Sequence, residues 1–445
     1  MNFAKSFSLL LMLLLMGVAR ANLTIEITKG VEGSLPIAVV PFAFNGQQGA
    51  PVHNVGDIVS ADLARSGRFK PLPVADMLAR PSKSEQVDFR DWRAVNVENL
   101  VIGEVEPNGP GGYLVKFRLY DVFRGEQITG FSIPTTARDL RSTAHQIADI
   151  IYETLTGEPG AFNTRIAYIT SIRSAAGKDR DGVQLYNEKV HLRVADADGY
   201  NPQTIVSSDD PLMSPAWSPD GRRIAYVSFE KSQPSIWVQE VFTGRREKLT
   251  SFKGINGAPA WSPDGQFLAL TLSKDGNPDI FVMDLRRRSL RPLTRHWAID
   301  TEPAWSPDGK YIVFTSDRGG SPQIYRVSIN GGEAERLTFE GSYNARASYS
   351  PDGRHMTMVT RLNGDYRIGA MDLQSRSLRI LSDGSLDESP SFAPNGSMII
   401  YATRAKGKGV LAAVSTDGRV KQRLALQAGD VREPAWSPYH QQKRN

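Results

Sequence analysis

Cysteine is absent from this 445-residue chain, which excludes disulfides, thiolate metal sites and a cysteine nucleophile. Histidine is scarce: His53, His145, His191, His296, His355 and His440 show no His-x-x-x-His or Glu-x-x-His spacing, so no zinc site is expected. No Gly-x-Ser-x-Gly elbow occurs, and only seven residues follow the last repeat described below, which leaves no room for a hydrolase domain. An excess of one charge is also missing. The formal net charge is +5, and removal of Lys5 and Arg20 with a leader lowers it to +3, too little to argue for nucleic acid.

Long apolar runs are lacking except at the start. Lys5 precedes an apolar run, residues 7–16, too short to span a bilayer, and Ala19-Arg20-Ala21 supplies a small-x-small cleavage pattern. Residues 1–21 therefore read as a signal peptide, with a mature chain from Asn22. No Cys follows the cleavage point, so N-terminal lipid attachment is excluded and a soluble product is expected.

What is abundant is turn chemistry, with 27 Pro and 39 Gly, arranged in a repeat. Pro215-Ala216-Trp217-Ser218-Pro219-Asp220-Gly221 recurs at residues 259–265 and 303–309. Degenerate copies stand at 347–353 and 390–396, and a truncated one at 434–438. The aromatic positions Trp217, Trp261, Trp305, Tyr349, Phe392 and Trp436 are separated by 44, 44, 44, 43 and 44 residues, the period of a four-stranded propeller blade. Within one period, strands are expected at 311–315 and 323–328, with a short one ending at Thr338. The sixth copy supplies a single strand, whereas residues 166–207 carry the pattern it lacks. A six-bladed β-propeller spanning 165–445, closed by pairing of its N- and C-terminal strands, is thus expected; closure removes free sheet edges.

Residues 22–156 follow an α/β grammar. Residues 37–40 read as a buried strand, and Val55, Ile58, Val59 and Leu63 mark one face of a helix ended by Gly67. Further strands are expected at 100–105 and 113–122. A last helix is expected at about 137–155, capped by Thr136 with Asp139 three residues on. Residues 157–164, opening Gly157-Glu158-Pro159-Gly160, read as a linker. The mature N-terminus alternates Leu23, Ile25 and Ile27 with polar residues, a strand pattern that as an ordinary edge strand would pack on its own domain.

A leader, a small α/β domain containing Pro36-Ile37-Ala38-Val39-Val40-Pro41-Phe42 and six such repeats together resemble the TolB family of the Tol-Pal cell-envelope system over the whole mature length. The Ser-Pro-Asp-Gly motif also occurs in the propellers of prolyl-oligopeptidase-like peptidases, so the domain order carries the resemblance. It implies a periplasmic protein without catalytic activity or cofactor. Such a protein holds the outer-membrane lipoprotein Pal at the propeller mouth and meets the inner-membrane protein TolA through residues 22–33. The system maintains outer-membrane integrity and draws the membrane inward at cell division. Colicins that imitate Pal, and other outer-membrane lipoproteins, are further implied partners, and membrane contact is through partners only.

Residues just before each inner strand are expected at one rim of the channel, an acidic rim that includes Asp209, Asp210 and Asp300. The candidate Pal contacts there are Ile255, Asn256, Ala258, Thr301, Glu302, Asn344, Arg346, Asp387, Glu388, Arg432 and Glu433. Ile255 departs from the His that many family members carry. The candidate TolA contacts are Asn22, Leu23, Thr24, Ile25, Glu26 and Ile27, suited to β-augmentation.

The blade aromatics read as interblade core rather than a stacking platform. The Asp of each repeat reads as turn chemistry, and Asp196-Ala197-Asp198-Gly199 lacks the terminal Glu of a calcium loop. Arg286, Arg287 and Arg288 read as a solvated turn. The rival reading is a propeller hydrolase or lyase using channel carboxylates such as Glu302 and Glu388 as acid and base.

Overall fold

The computed structural model describes residues 26–27, 33–46, 51–178, 180–181, 183–424 and 429–439. The expected signal peptide, the candidate contacts Asn22–Ile25 and His440 lie outside them.

In the α/β unit, Leu35–Val39 runs parallel to both Phe69–Pro71 and Asn99–Pro107, and the sheet continues antiparallel through Gly112–Asp121 and Glu126–Thr136. Helices α1 (Val55–Arg65) and α3 (Leu140–Thr156) cover one face, burying Val59, Leu63, Ile147 and Ile151 against Ile37, Val101 and Phe117. The short α2 (Phe89–Ala94) places Trp92 in a second cluster with Leu100 and Ile102. Two sequence expectations shift here. Helix α3 begins at Leu140 with Asp139 at the N-cap, and Thr136 instead ties the approach: its hydroxyl donates to Asp139 Oδ2 at 2.8 Å and accepts the Asp139 N–H at 3.2 Å. Strand Glu126–Thr136 escapes the sequence reading because it is an edge strand with few buried side chains.

The remaining sheets form six blades around a channel. Blades 2 to 6 begin with inner strands Leu212–Trp217, Asn256–Trp261, Asp300–Trp305, Asn344–Tyr349 and Glu388–Phe392, each followed outward by three strands in sequence order. Blade 1 takes its inner strand from the C-terminus: Asp430–Trp436 pairs antiparallel with Arg165–Lys178, followed by Gln184–Asp196 and Gln203–Ser208. The expected closure of the ring is therefore observed.

Neighbouring blades are joined by the repeat itself. Each indole N–H donates to the preceding blade's Ala carbonyl: Trp217 to Ala435 and Trp261 to Ala216, both at 3.1 Å, and Trp305 to Ala260 at 3.0 Å. Trp436 donates to Thr164 Oγ1 at 2.9 Å. In the Ser-Pro-Asp-Gly turn, Ser306 Oγ donates to Asp308 Oδ1 at 2.6 Å and accepts the Tyr311 N–H at 2.9 Å, while Gly309 takes φ 70°. The aromatics and turn carboxylates are thus structural.

The mature N-terminus is not an edge strand of its own domain. Glu26–Ile27 pairs antiparallel with Lys421–Leu424, the outer strand of blade 6, in the register Glu26 with Arg423 and Ile27 with Gln422. That outer edge offers unpaired backbone groups close to the α/β unit, since Gln422 Nε2 also donates to the Arg65 carbonyl at the end of α1.

Candidate functional site

The propeller has two unlike faces. The α/β unit packs on the face carrying the Ser-Pro-Asp-Gly turns: Asn395 of blade 6 donates to the Pro159 carbonyl at 2.9 Å, and Arg141 of α3 binds Asp198 of blade 1 at 2.6 Å. The opposite face, where each outer strand crosses to the next inner strand, is left open by the described residues and forms the mouth.

Each inner strand is bulged at the same place. Ser214, Ala258, Glu302, Arg346, Ser389 and Glu433 all take left-handed conformations, φ 45° to 57°, where the register with the second strand shifts. A non-glycine residue in this region costs of order 1–2 kcal/mol, and the bulge turns a ring of six residues inward. In that ring the Arg346 guanidinium lies between two carboxylates, 3.5 Å from Glu302 and 3.4 Å from Glu433, and donates to Ser389 Oγ at 2.7 Å. Burial works against the Arg346 charge, but Glu433, Glu302 and Glu388 outweigh it and raise its pKa. Burial raises the Glu388 carboxyl, with Arg346 working against the rise. Glu302 is further engaged by the Thr315 hydroxyl at 2.9 Å and the Arg346 N–H at 3.0 Å. The expected acidic ring is therefore largely neutralised around Arg346, and Glu302 is held in place by fixed partners.

The other rim positions divide into two groups. Asn256, Asp300, Asn344 and Asp387, at equivalent places in blades 3 to 6, are buried and hold the rim loops from beneath. Asn256 donates to the Phe252 carbonyl at 2.7 Å, Asn344 to the Glu340 carbonyl at 2.8 Å, and Asp387 accepts the Gly384 N–H at 3.0 Å. Asp300 takes both its hydrogen bonds from Arg318, at 2.9 and 2.6 Å. Ile255 and Arg432 are exposed, the latter paired with Asp430 at 2.6 Å, while Ala258, Thr301, Glu388 and Glu433 are half-buried.

Apart from Ile255, sequence reasoning missed the apolar crown above these loops. Met213, Phe252, Ile255, Trp297, Ile299, Phe339 and Leu386 are exposed around the mouth, Trp297 at 78% and Phe339 at 63%. The available signal was a large apolar residue in a polar loop a few positions before the inner strands of blades 3 to 6. Monomeric proteins rarely expose such a set together except at interaction sites.

A second feature also escaped the sequence. At the junction with the α/β unit, buried His145 of α3 has Nδ1 2.6 Å from Asp62 Oδ2 of α1, and its Nε2 lies 3.9 Å from Asp198. Arg65 pairs with Asp62 at 3.0 Å, and Arg141 covers the Tyr200 ring at 3.7 Å while binding Asp198. Asp62, His145 and Asp198 have the residue types of a metal site, but two arginines already neutralise the carboxylates, so the cluster is an ion-pair network. Burial lowers the His145 pKa, and Asp62 and Asp198 outweigh it against a smaller opposing effect of Arg65, so the folded value lies above the ordinary one. A raised folded value stabilises fully below about pH 6.5 and is lost as pH rises through that value. Denaturant unfolding of the protein is expected to show stability falling with pH above 6.5, and His145→Gln is expected to flatten that slope. An identical slope in the variant would remove His145 as its source.

Comparison with known proteins places this architecture. Residues 23–128 match the TolB amino-terminal domain and residues 152–440 the TolB beta propeller domain. The chain is 57% identical to the Tol-Pal system protein TolB of Thioalkalivibrio sulfidiphilus over 98% of both chains. It is 59% identical to that of Nitrosococcus oceani over 94% of both. The crystal structure of TolB from Acinetobacter baumannii superposes with a TM-score of 0.83 at 43% identity, covering 94% of this chain and all of that one. The chain belongs to the TolB family, non-catalytic components of the Tol-Pal system.

Proposed function

We propose that the protein works in the periplasm as a two-ended protein adaptor, the propeller mouth binding the lipoprotein Pal and the N-terminal segment, residues 22–33, binding TolA. The observation that carries this reading is the apolar crown on the face turned away from the α/β unit. Its exposed Ile255, Trp297, Ile299 and Phe339 supply anchors, while Thr301, Glu302, Glu388, Arg432 and Glu433 supply a polar centre. An interface needs such a contrast of desolvated anchors and polar rim. Asn256, Asn344 and Asp387 act from beneath, by fixing the loops that carry the contacts. Ala258 and Arg346 complete the inward ring. At the other end, the described ladder of Glu26–Ile27 on blade 6 spans two residue pairs, a small set of main-chain bonds for a partner strand to replace.

Calorimetric titration of residues 22–445 with the soluble domain of the cognate Pal tests this. Wild type is expected to bind, Thr301→Arg and Glu302→Ala to bind more weakly, and a chain lacking residues 22–33 to bind Pal like wild type while losing TolA. Failure of wild type to bind Pal would overturn the reading.

A further inference from the structure

Blade 1 carries an arm that the repeat does not require. Its second and third strands, Arg165–Lys178 and Gln184–Asp196, have 14 and 13 residues, whereas the corresponding strands of blades 2, 3 and 4 have six and those of blades 5 and 6 have eight. At ~3.3 Å per residue the excess lifts a two-stranded ribbon about 20 Å above the blade. It rises on the mouth side, because the inner strand starts at Asp430 opposite Ser171 while the second strand continues to Lys178. Outward, the fourth strand stops at Ser208 opposite Val190. Past these points, among the described residues, no strand lies on either edge of the ribbon.

The arm is ordered by its own cross-strand pairs and tied to the rim. Ser174 faces Asn187, Ala175 faces Tyr186, and a bulge follows at Ala176. Glu188 binds Arg173 at 3.2 Å and the Ser171 hydroxyl, and Lys189 reaches Asp209 of the rim at 3.7 Å. On the channel side, past Arg173, the strand reads Ser174-Ala175-Ala176-Gly177, small side chains without proline. Proteins ordinarily cover or charge such an edge, because its free N–H and C=O groups are a template for another strand. Tyr186, exposed at 62% across from Ala175, offers an apolar ring beside that template.

We propose that the channel-side edge of this arm, residues 172–176, is a second contact for the protein seated on the mouth. That partner lays an extended segment along the edge by β-augmentation, with an apolar side chain against Ala175 and Tyr186. The inference rests on the reading of the mouth as the Pal site and continues that surface past Asp209 and Asp430. Small residues on the accepting strand leave room for large ones on the incoming strand, and main-chain bonds supply the affinity.

Two variants of residues 22–445 test the idea by titration with the soluble domain of Pal: Ala175→Pro, which removes a main-chain N–H facing the channel-side edge rather than the neighbouring strand of the ribbon, and replacement of residues 174–187 by an Asn-Gly turn, which shortens the arm. Each is expected to weaken binding at least about tenfold, the loss of a few net hydrogen bonds, with an unchanged thermal midpoint. In the unaltered protein, amide exchange within residues 172–176 is expected to slow on adding Pal. If wild type binds Pal, both variants bind equally well and these amides are not protected, the arm proposal falls and the mouth reading stands. If wild type does not bind Pal, the mouth reading falls and the arm's occupant with it.

Discussion

Asp198→Ala is expected to lower the unfolding free energy by about 3–5 kcal/mol, the range for removing one partner of a buried ion pair. Asp198 is 6% exposed, accepts from Arg141 Nη2 at 2.6 Å and from the Tyr200 N–H at 3.0 Å, and faces His145 at 3.9 Å. Burial pushes its carboxyl upward, yet His145, Arg65 and Arg141 outweigh it and hold the pKa below the usual value. Truncation leaves the Arg141 guanidinium in the junction without this counter-charge, and the loss is large beside a typical stability of about 5–15 kcal/mol. Because Asp198 belongs to blade 1, Asp62 to α1 and His145 to α3, the same change weakens the joint between the two units. Urea unfolding followed by both tryptophan fluorescence and far-ultraviolet dichroism is expected to change from coincident transitions to separated ones. A loss below about 1 kcal/mol with coincident transitions would show that the network contributes little net stability and does not couple the units.

That network illustrates where sequence reading stops. The propeller was legible because its information is local and repeated: Trp305, Ser306, Asp308 and Gly309 each make the same contact as their counterparts one period away. The clasp was legible by subtraction, as one incomplete repeat and one unclaimed segment. Asp62, His145 and Asp198 were not, since 83 and 53 residues separate members that meet only after both units have folded. Spacing tests for metal or catalytic pairs pass over them, and Asp198 looks like an ordinary turn residue. The docked N-terminal strand shows the same limit: alternation of Leu23, Ile25 and Ile27 declares a strand but not which edge it joins, and blade 6 offers one 397 residues from Glu26, at Arg423.

The rim shows a complementary limit. Position within the repeat located the rim, but not which side chains point out of it. In blades 3 to 6 a polar residue stands two positions before the bulge, and as Asn256, Asp300, Asn344 and Asp387 it is spent on holding the rim loops. A buried polar group needs its partners within the protein, so these positions shape the mouth indirectly. Arg346 meanwhile replaces the small or acidic residue found at equivalent places and turns a repulsive ring into a salt-bridged one.

The crown, not the carboxylates, should therefore dominate binding at the mouth, and Trp297→Ala is the sharpest test. A tryptophan that becomes desolvated in an interface commonly costs 2 kcal/mol or more when truncated, so Pal affinity is expected to fall at least about thirtyfold, mainly through faster dissociation. Trp297 is 78% exposed and lies beside His296, with ring centroids 5.1 Å apart. Its removal is accordingly expected to leave the thermal midpoint unchanged, as for surface substitutions generally. Asn256→Ala makes the contrast: it removes the bonds to the Phe252 and Gly254 carbonyls beneath the neighbouring loop, and is expected to weaken binding and stability together. Equal Pal affinity in wild type and Trp297→Ala would move the energetic centre from the crown to the polar ring around Arg346. There Glu302, Glu433 and Ser389 already satisfy the guanidinium, and a partner must compete with bonds the propeller makes to itself.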